Sequence, residues 1–325
     1  YPANFISEGL DQTRGWFYTL TLLASHLFDK PAFQNCIVNG LVLASDGRKM
    51  SKSLKNYTDP VEAINMFGAD ALRLFLMHSA VVKADDLKYS DDGVREIIKS
   101  IILPLWNSYS FFVQYANIDG VTCTGHEFDN KVPDNALDRW LLSVAQKMVK
   151  DVTAALDDYD LSAAIDPMLD FIDSINNWYI RRNRRRFWKS GSDNDKMEAY
   201  GALYSALKTF ALVAAPFVPF ITEEIWQNLK TAEDKESVHL CDYPVYNEKF
   251  RDEKLEFQMA SVQKAVSMGR SLRNTFNLKN RQPLASVALV TRNAEEKKVL
   301  DSMRDTIAEE LNVKEVIFHE REDEL

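Results

Sequence analysis

The stretch that most limits what this chain can fold into is a change of pattern. An apolar run, Cys36-Ile37-Val38-Asn39-Gly40-Leu41-Val42-Leu43, gives way to Gly47-Arg48-Lys49-Met50-Ser51-Lys52-Ser53, and then to Asp59-Pro60-Val61-Glu62. The first run predicts a buried strand, because of its β-branched residues Ile37, Val38 and Val42 and its Gly-bounded ends. The last predicts a helix start: Asp59 can cap, Pro60 suits the first helical position, Glu62 completes a capping-box-like pair, and Gly68 marks the stop. The lysine loop therefore leaves a strand, and in open α/β sheets ligands bind beyond the carboxyl ends of strands. Lys49 and Lys52, flanked by the Ser51 and Ser53 hydroxyls, can neutralise charge that develops as pyrophosphate leaves. Taken alone, Lys-x-x-Lys is also what a solvated basic turn looks like, since lysine is mostly exposed.

Upstream, a strand-like start and a helix from roughly Thr13 to Leu27 complete a βαβ unit that is too small to be a whole nucleotide fold. Just before the helix, Glu8, Gly9, Asp11 and Gln12 gather two carboxylates and an amide. Such a cluster can hold an ammonium group, ribose hydroxyls and an adenine edge; an ordinary helix cap by Asp11 or Thr13 explains it too. His26 and His78 sit among helical apolar residues and read as packing histidines.

Composition narrows the class of protein. With 325 residues, 46% hydrophobic and 27% charged, the chain has the make-up of a globular protein of two or three domains. No run approaches the ~18 apolar residues of a membrane span. Its start, Tyr1-Pro2-Ala3-Asn4, is neither an initiator methionine nor a signal peptide, so the chain reads as an excised piece. Cys36, Cys123 and Cys241 are far apart, which suggests neither a disulfide framework nor a zinc site and fits a reducing cytoplasm. A net charge of −9 argues against indiscriminate nucleic-acid binding, so any RNA contact must be local.

Helices dominate from Pro60 onward. Two follow one another between Pro60 and Ser79 as a compact connector. Ile97 to Tyr115 reads as an apolar segment broken by Pro104, Asn117 to Asn135 as a surface loop, and Ala136 to Leu156 as a helix ending at Asp157-Asp158-Tyr159-Asp160. Leu161 to Lys189 reads as one long helix entered past Pro167, Met197 to Leu212 as another, and Ile221 to Leu229 as a third beyond Pro216 and Pro219. These make a bundle. At about 100° per residue, Arg181, Arg182, Arg184, Arg185 and Arg186 share one arc of the long helix with Trp178, Tyr179 and Trp188, while Asn176, Ile180, Asn183 and Phe187 occupy the other side. Arginines interleaved with aromatics suit phosphate contact plus base stacking; a solvated face paired to nearby acids is the alternative.

Beyond Leu240, a helix from about Lys254 to Thr275 precedes a strand Val287 to Thr291, a helix Ala294 to Leu311 and a strand Val316 to His319. Arg270, Arg273, Lys279 and Arg281 give this small α/β unit a second positive edge, or simply a basic rim.

Lys49-Met50-Ser51-Lys52-Ser53 resembles, letter for letter, the second signature of class I aminoacyl-tRNA synthetases. Glu8-Gly9-Leu10-Asp11-Gln12-Thr13-Arg14-Gly15-Trp16-Phe17 is similar to the adenylate-binding stretch of their isoleucyl family. Gly68-Ala69-Asp70-Ala71-Leu72-Arg73, Asn177-Trp178-Tyr179-Ile180-Arg181-Arg182 and Arg281-Gln282-Pro283-Leu284 extend the resemblance over nearly the whole chain. It implies that Glu8, Gly9, Asp11 and Gln12 contact the aminoacyl-adenylate, that Trp16 walls the side-chain pocket, that Asn39 and Gly40 sit near adenine, and that Met50 belongs to the same site. It implies tRNA contacts by Trp178, Arg181, Arg182, Arg184, Arg185, Arg186, Trp188, Lys279 and Arg281. The implied architecture is multidomain α/β plus all-α. Residues 1–57 form the second half of a Rossmann catalytic domain, 58–95 a helical connector, 96–235 an anticodon-binding helical bundle and 236–325 a truncated C-terminal α/β module. The implied activity is ATP-dependent activation of isoleucine and its transfer to tRNA(Ile) by a cytoplasmic monomer, with ATP and Mg2+ as substrate and no protein-bound metal. None of the five histidines belongs to a His-x-Gly-His signature, so the chain alone is expected to be inactive. A tRNA-binding module without catalysis and a valyl relative are the competing readings.

Overall fold

In the computed structural model the described residues are 1–51, 53–54, 56–129, 131–191 and 193–321. They form two compact units, Tyr1–Phe250 and Arg251–Leu325, in which helices predominate and the strands pair two by two.

The first unit opens with β1 (Ala3–Gly9), α1 (Trp16–Phe28) and β2 (Phe33–Asn39). β1 and β2 are parallel, with Gly9 opposite Asn39, which is the βαβ unit expected. Leu10–Arg14 forms a 3-10 turn before α1, and neither Asp11 nor Thr13 caps that helix. Instead Gln12 Oε1 accepts from the Trp16 amide at 2.9 Å. The expected single buried strand is in fact two: β2 ends at Asn39, β3 covers Val42–Leu43, and Gln34 to Cys36 are exposed. The two-stranded sheet leaves β2 largely uncovered. The glycine at the break has a steric cause, since a Cβ at position 40 would lie 1.9 Å from the Asp85 carbonyl oxygen.

The connector forms as the sequence implies. Asp59 accepts from the Val61 amide at 2.9 Å to start α2 (Pro60–Phe67), and Gly68, at φ +84°, turns the chain into α3 (Ala69–His78). The chain then returns through β4 (Leu87–Lys88), parallel to β3. α3 is clasped to the bundle that follows. Asp70 accepts from the Phe220 and Ile221 amides at 3.2 and 2.7 Å, and Arg73 donates to the Phe217 and Pro216 carbonyls at 3.2 and 2.9 Å. Asp70 thereby supplies the N-terminal cap that α10 (Pro219–Leu229) lacks from its own Val218.

The bundle holds α4 (Asp91–Ile97), α5 (Leu103–Asp119), α6 (Ala136–Asp157), α7 (Leu161–Asp173), α8 (Arg181–Trp188) and α9 (Asn194–Ala214), as well as α10. Its core is aromatic: Trp140, Phe171, Tyr179, Phe187, Tyr200 and Phe210 are all essentially inaccessible. Pro104 does not break its segment. A π-helical turn, Ile98–Ile102, joins α4 to α5, and Pro104 sits in the first turn after it, where a missing N–H costs least. Pro167 lies inside α7 rather than before it. A second π-helical stretch, Ser174–Ile180, links α7 to α8.

In the second unit, α11 (Glu253–Thr275) precedes β5 (Leu284–Val290), α12 (Ala294–Ser302), α13 (Arg304–Leu311) and β6 (Val313–His319), with β5 and β6 parallel. This is the strand–helix–strand unit expected, except that the single helix is two, divided at Met303. Gly269 allows close packing inside the unit, because a Cβ there would meet the Leu311 side chain at 2.6 Å.

Candidate functional site

The adenylate-binding candidates converge at the carboxyl ends of β1 and β2. Glu8 and Gly9 pair in register with Val38 and Asn39, and Asn39 Nδ2 donates to Ser7 Oγ at 3.4 Å. A Cβ at position 9 would stand 2.8 Å from Asp11 Oδ1, so a side chain there would push the Asp11 carboxylate aside. Gln12 is partly committed: besides capping α1 it donates to Asp11 Oδ2 at 3.3 Å. Glu8, Asp11 and Trp16 are exposed, and Gly40 follows directly where β2 ends, its amide held by the Val81 carbonyl at 2.8 Å.

The lysine loop is anchored separately, at the end of β3. A tight turn with Gly47 at φ +81° folds Lys49 back opposite Leu43, and Ala44 and Arg48 share a 2.9 Å backbone bond. The positive φ explains the glycine, and Lys88 lies against it: a Cβ at Gly47 would be 3.3 Å from Lys88 Cε. Arg48 pairs with Asp46, which holds that carboxyl below its usual range. Lys49 is exposed, and Ser51 and Ser53 join their hydroxyls at 2.8 Å. Lys52 lies outside the described residues. Met50 packs on a cluster built from Ala71, Tyr89 and Val94, so it fastens the loop to the connector. Sequence reasoning missed Asn56, whose side chain bonds to the loop backbone at both Lys49 and Ser51.

The arginine helix splits into two populations. Arg184, Arg185 and Trp188 are exposed, and Arg181 and Arg182 are half-buried with their guanidinium groups 5.6 and 5.5 Å from the Trp178 ring. Trp178 and Tyr179, however, face the core, and Arg186 is drawn inward onto Asp138, Asp195 and Asn183. The 100° rule fails here because Ser174–Ile180 is π-helical, and its wider turn rotates Trp178 and Tyr179 away from the arc computed for an α-helix. Burial, reinforced by the Asp138 carboxylate, pushes the Tyr179 phenol well above its ordinary value.

A groove that the sequence did not reveal lies at the end of α8. It encloses about 520 Å³ between Tyr115, Asp119, Phe187, Trp188 and Lys196. Trp188 Nε1 donates to Tyr115 Oη at 2.7 Å. Asp119 Oδ2 receives the buried Lys196 ammonium at 2.6 Å and the Tyr200 hydroxyl at 2.5 Å, which hold its pKa below the usual carboxylate range. No spacing rule could bring residues 115, 119 and 196 together.

In the second unit Lys279 and Arg281 are exposed. Arg273 is not part of a positive edge, for it is buried and donates to the carbonyls of Lys279, Gln282 and Leu311. Arg270 pairs with Glu310. Among the described residues no group of three His, Cys, Asp or Glu side chains is arranged to hold a metal ion, and no helix is long and apolar enough to cross a membrane.

A parallel βαβ corner, a strand-exit lysine loop and an arginine-bearing helical bundle on one chain define a class, and the comparisons agree with it. The family described as tRNA synthetases class I (I, L, M and V) matches residues 1–88, and the anticodon-binding domain of tRNA ligase matches residues 138–289. The chain belongs to the class I tRNA synthetases. Within them it is similar to isoleucine--tRNA ligases: 67% identical over 336 residues to that of Treponema denticola and 58% over 335 residues to that of Treponema pallidum, in both cases across 100% of this chain. The chain spans 30% and 31% of those two proteins. In fold it resembles a LeuRS–tRNA–LeuAMS ternary complex from Agrobacterium radiobacter, with a TM-score of 0.60 at 19% identity, covering 93% of this chain and 35% of that one.

Proposed function

We propose that this chain is part of an isoleucine–tRNA ligase and supplies its pyrophosphate-facing loop and its tRNA-binding bundle. The observation that carries the reading is identity of 67% to an isoleucine--tRNA ligase across the whole chain, with the signature pentapeptide at a strand exit. Isoleucine attacks the α-phosphate of ATP, supplied with Mg2+, and the acyl group passes to the terminal ribose of tRNA(Ile). Glu8, Gly9, Asp11 and Gln12 hold the aminoacyl-adenylate, with Asn39 and Gly40 beside adenine and Trp16 walling the side-chain pocket. Lys49 and Lys52, with Ser51 and Ser53, meet the departing pyrophosphate, where compact cations act most strongly on developing charge.

Residues 1–57 are the second half of a Rossmann domain, 58–95 the connector, 96–235 the bundle and 236–325 the C-terminal module. On the bundle, Arg181, Arg182, Arg184 and Arg185 take RNA phosphates, and the groove beside Trp188 offers an aromatic wall to an unstacked base. Lys279 and Arg281 add contacts from the second unit. The protein works as a cytoplasmic monomer. Isoleucine-dependent exchange of pyrophosphate into ATP by the full-length protein tests this reading, with valine as the competing amino acid. A tRNA gel shift with no exchange supports a binding module instead, and exchange driven by valine in preference overturns the assignment of substrate.

A further inference from the structure

The lysine loop is held by a side chain three residues past its end. Asn56 Oδ1 accepts from the Ser51 amide at 2.9 Å, and Asn56 Nδ2 donates to the Lys49 carbonyl at 3.2 Å. Among uncharged side chains only the carboxamides of Asn and Gln carry a donor pair and an acceptor on one rigid plane, so Asn56 pairs with the loop as a neighbouring strand would. Two consequences follow. The backbone on both sides of Met50 is fixed, which roots the Lys49 side chain, and the Ser51 N–H is occupied and unavailable to a phosphate. Met50, between the two bonded residues, packs against the cluster of Ala71, Tyr89 and Val94. The loop is thus held both by an amide and by an apolar seat.

We propose that Asn56 is a positioning residue for adenylate formation: it holds Lys49 and the Ser51 hydroxyl at the place where pyrophosphate departs, without touching substrate itself. This rests on the reading of the loop given above. Holding a cation in place beforehand removes the cost of ordering it during the reaction, so the loss of Asn56 slows the chemical step more than it weakens binding.

The test uses the full-length protein with Asn56→Ala, Asn56→Asp and Lys49→Ala, measuring isoleucine-dependent pyrophosphate exchange and hydrogen exchange at the Ser51 amide. For Asn56→Ala the Ser51 amide should exchange at least about tenfold faster. Its kcat should fall by about tenfold to hundredfold, the worth of two hydrogen bonds, with the KM for isoleucine unchanged. Asn56→Asp keeps an acceptor for Ser51 but sets a carboxylate against the Lys49 carbonyl; Ser51 should stay protected while kcat still falls. If Asn56→Ala does not fold, the Asp variant and the Ser51 exchange of the parent decide the matter. A lowered melting temperature with normal kcat overturns the proposal and leaves Asn56 a role in the fold alone. Normal kcat in both Asn56 variants beside a slow Lys49→Ala overturns it while the loop reading stands. Normal rates in all three variants remove the loop reading and this proposal together.

Discussion

Arg186 grips Asp138 with both prongs of its guanidinium, Nη1 to Oδ1 and Nη2 to Oδ2, each at 2.8 Å, and Asp138 is wholly buried. Tyr179 donates to the same carboxylate at 2.6 Å, and Arg186 also reaches the Asp195 carboxylate and its backbone oxygen in the first turn of α9. One arginine of a run of five therefore ties α6, α8 and α9 together.

Removing one partner of such a pair leaves the other charge buried and uncompensated. Asp138→Ala should lower stability by about 3 to 5 kcal/mol, and Arg186→Ala should also be strongly destabilising. Chemical denaturation followed by helical circular dichroism measures both. Stabilities within error of the parent would show that the pair does not hold the bundle.

The exposed arginines should behave oppositely. Arg184→Ala with Arg185→Ala should leave folding intact, weaken tRNA binding and reduce the slope of log affinity against log salt by about 1 to 2. Screening limits such charges to a reach of about 10 Å at moderate salt, so only close contacts count in a molecule of net charge −9. Titrations at several salt concentrations provide the check. An unchanged slope would place the RNA contacts elsewhere.

This division of the arginines marks where the sequence ceases to be legible. The helices announced themselves through caps and apolar periodicity, and Asp59, Pro60 and Gly68 mark their boundaries as expected. The loop and the βαβ corner could be read because their signals are local. The π-helical turns at Ile98–Ile102 and Ser174–Ile180 have no such signal, and they displaced both the Pro104 break and the Trp178 face. Equally hidden were partners distant in sequence: Arg186 with Asp138, Asp119 with Lys196, and Arg273 with the carbonyls around Leu311. A buried arginine and an exposed one look alike until the fold brings them a carboxylate.

Lys49→Ala in the full-length protein should slow adenylate formation far more than it weakens isoleucine binding. By the measure of a single oxyanion donor the loss is about 2 to 4 kcal/mol of transition-state stabilisation. Single-turnover activation rates read this directly, and a rate equal to the parent's would exclude the role.

His126 bridges Asp129 Oδ2 at 2.8 Å and Glu233 Oε2 at 3.3 Å, and these bonds, Asp129's first, raise its pKa above 6.5. The folded value exceeds the unfolded one, so the bridge contributes fully below 6.5 and is lost as pH climbs through the raised value. In an NMR titration His126 should titrate above its ordinary value in the parent and move back toward it in Asp129→Asn with Glu233→Gln.

Gly40→Ala tests the chain crossing between β2 and β3. Its methyl would strike the Asp85 carbonyl, a backbone atom that cannot swing aside, and the cost should be at least about 1 to 3 kcal/mol, read as a lowered melting temperature.

The clasp of Asp70 and Arg73 on residues 216–221 makes α3 a lever with its fulcrum on the bundle. Four hydrogen bonds fix the rim of that lever to the turn between α9 and α10, while Ala71 and its neighbours seat Met50. Asp70 and Arg73, which hold the turn before α10, and Ala71, which seats Met50, are neighbours on one helix, so the bundle and the root of the lysine loop share a single ten-residue support.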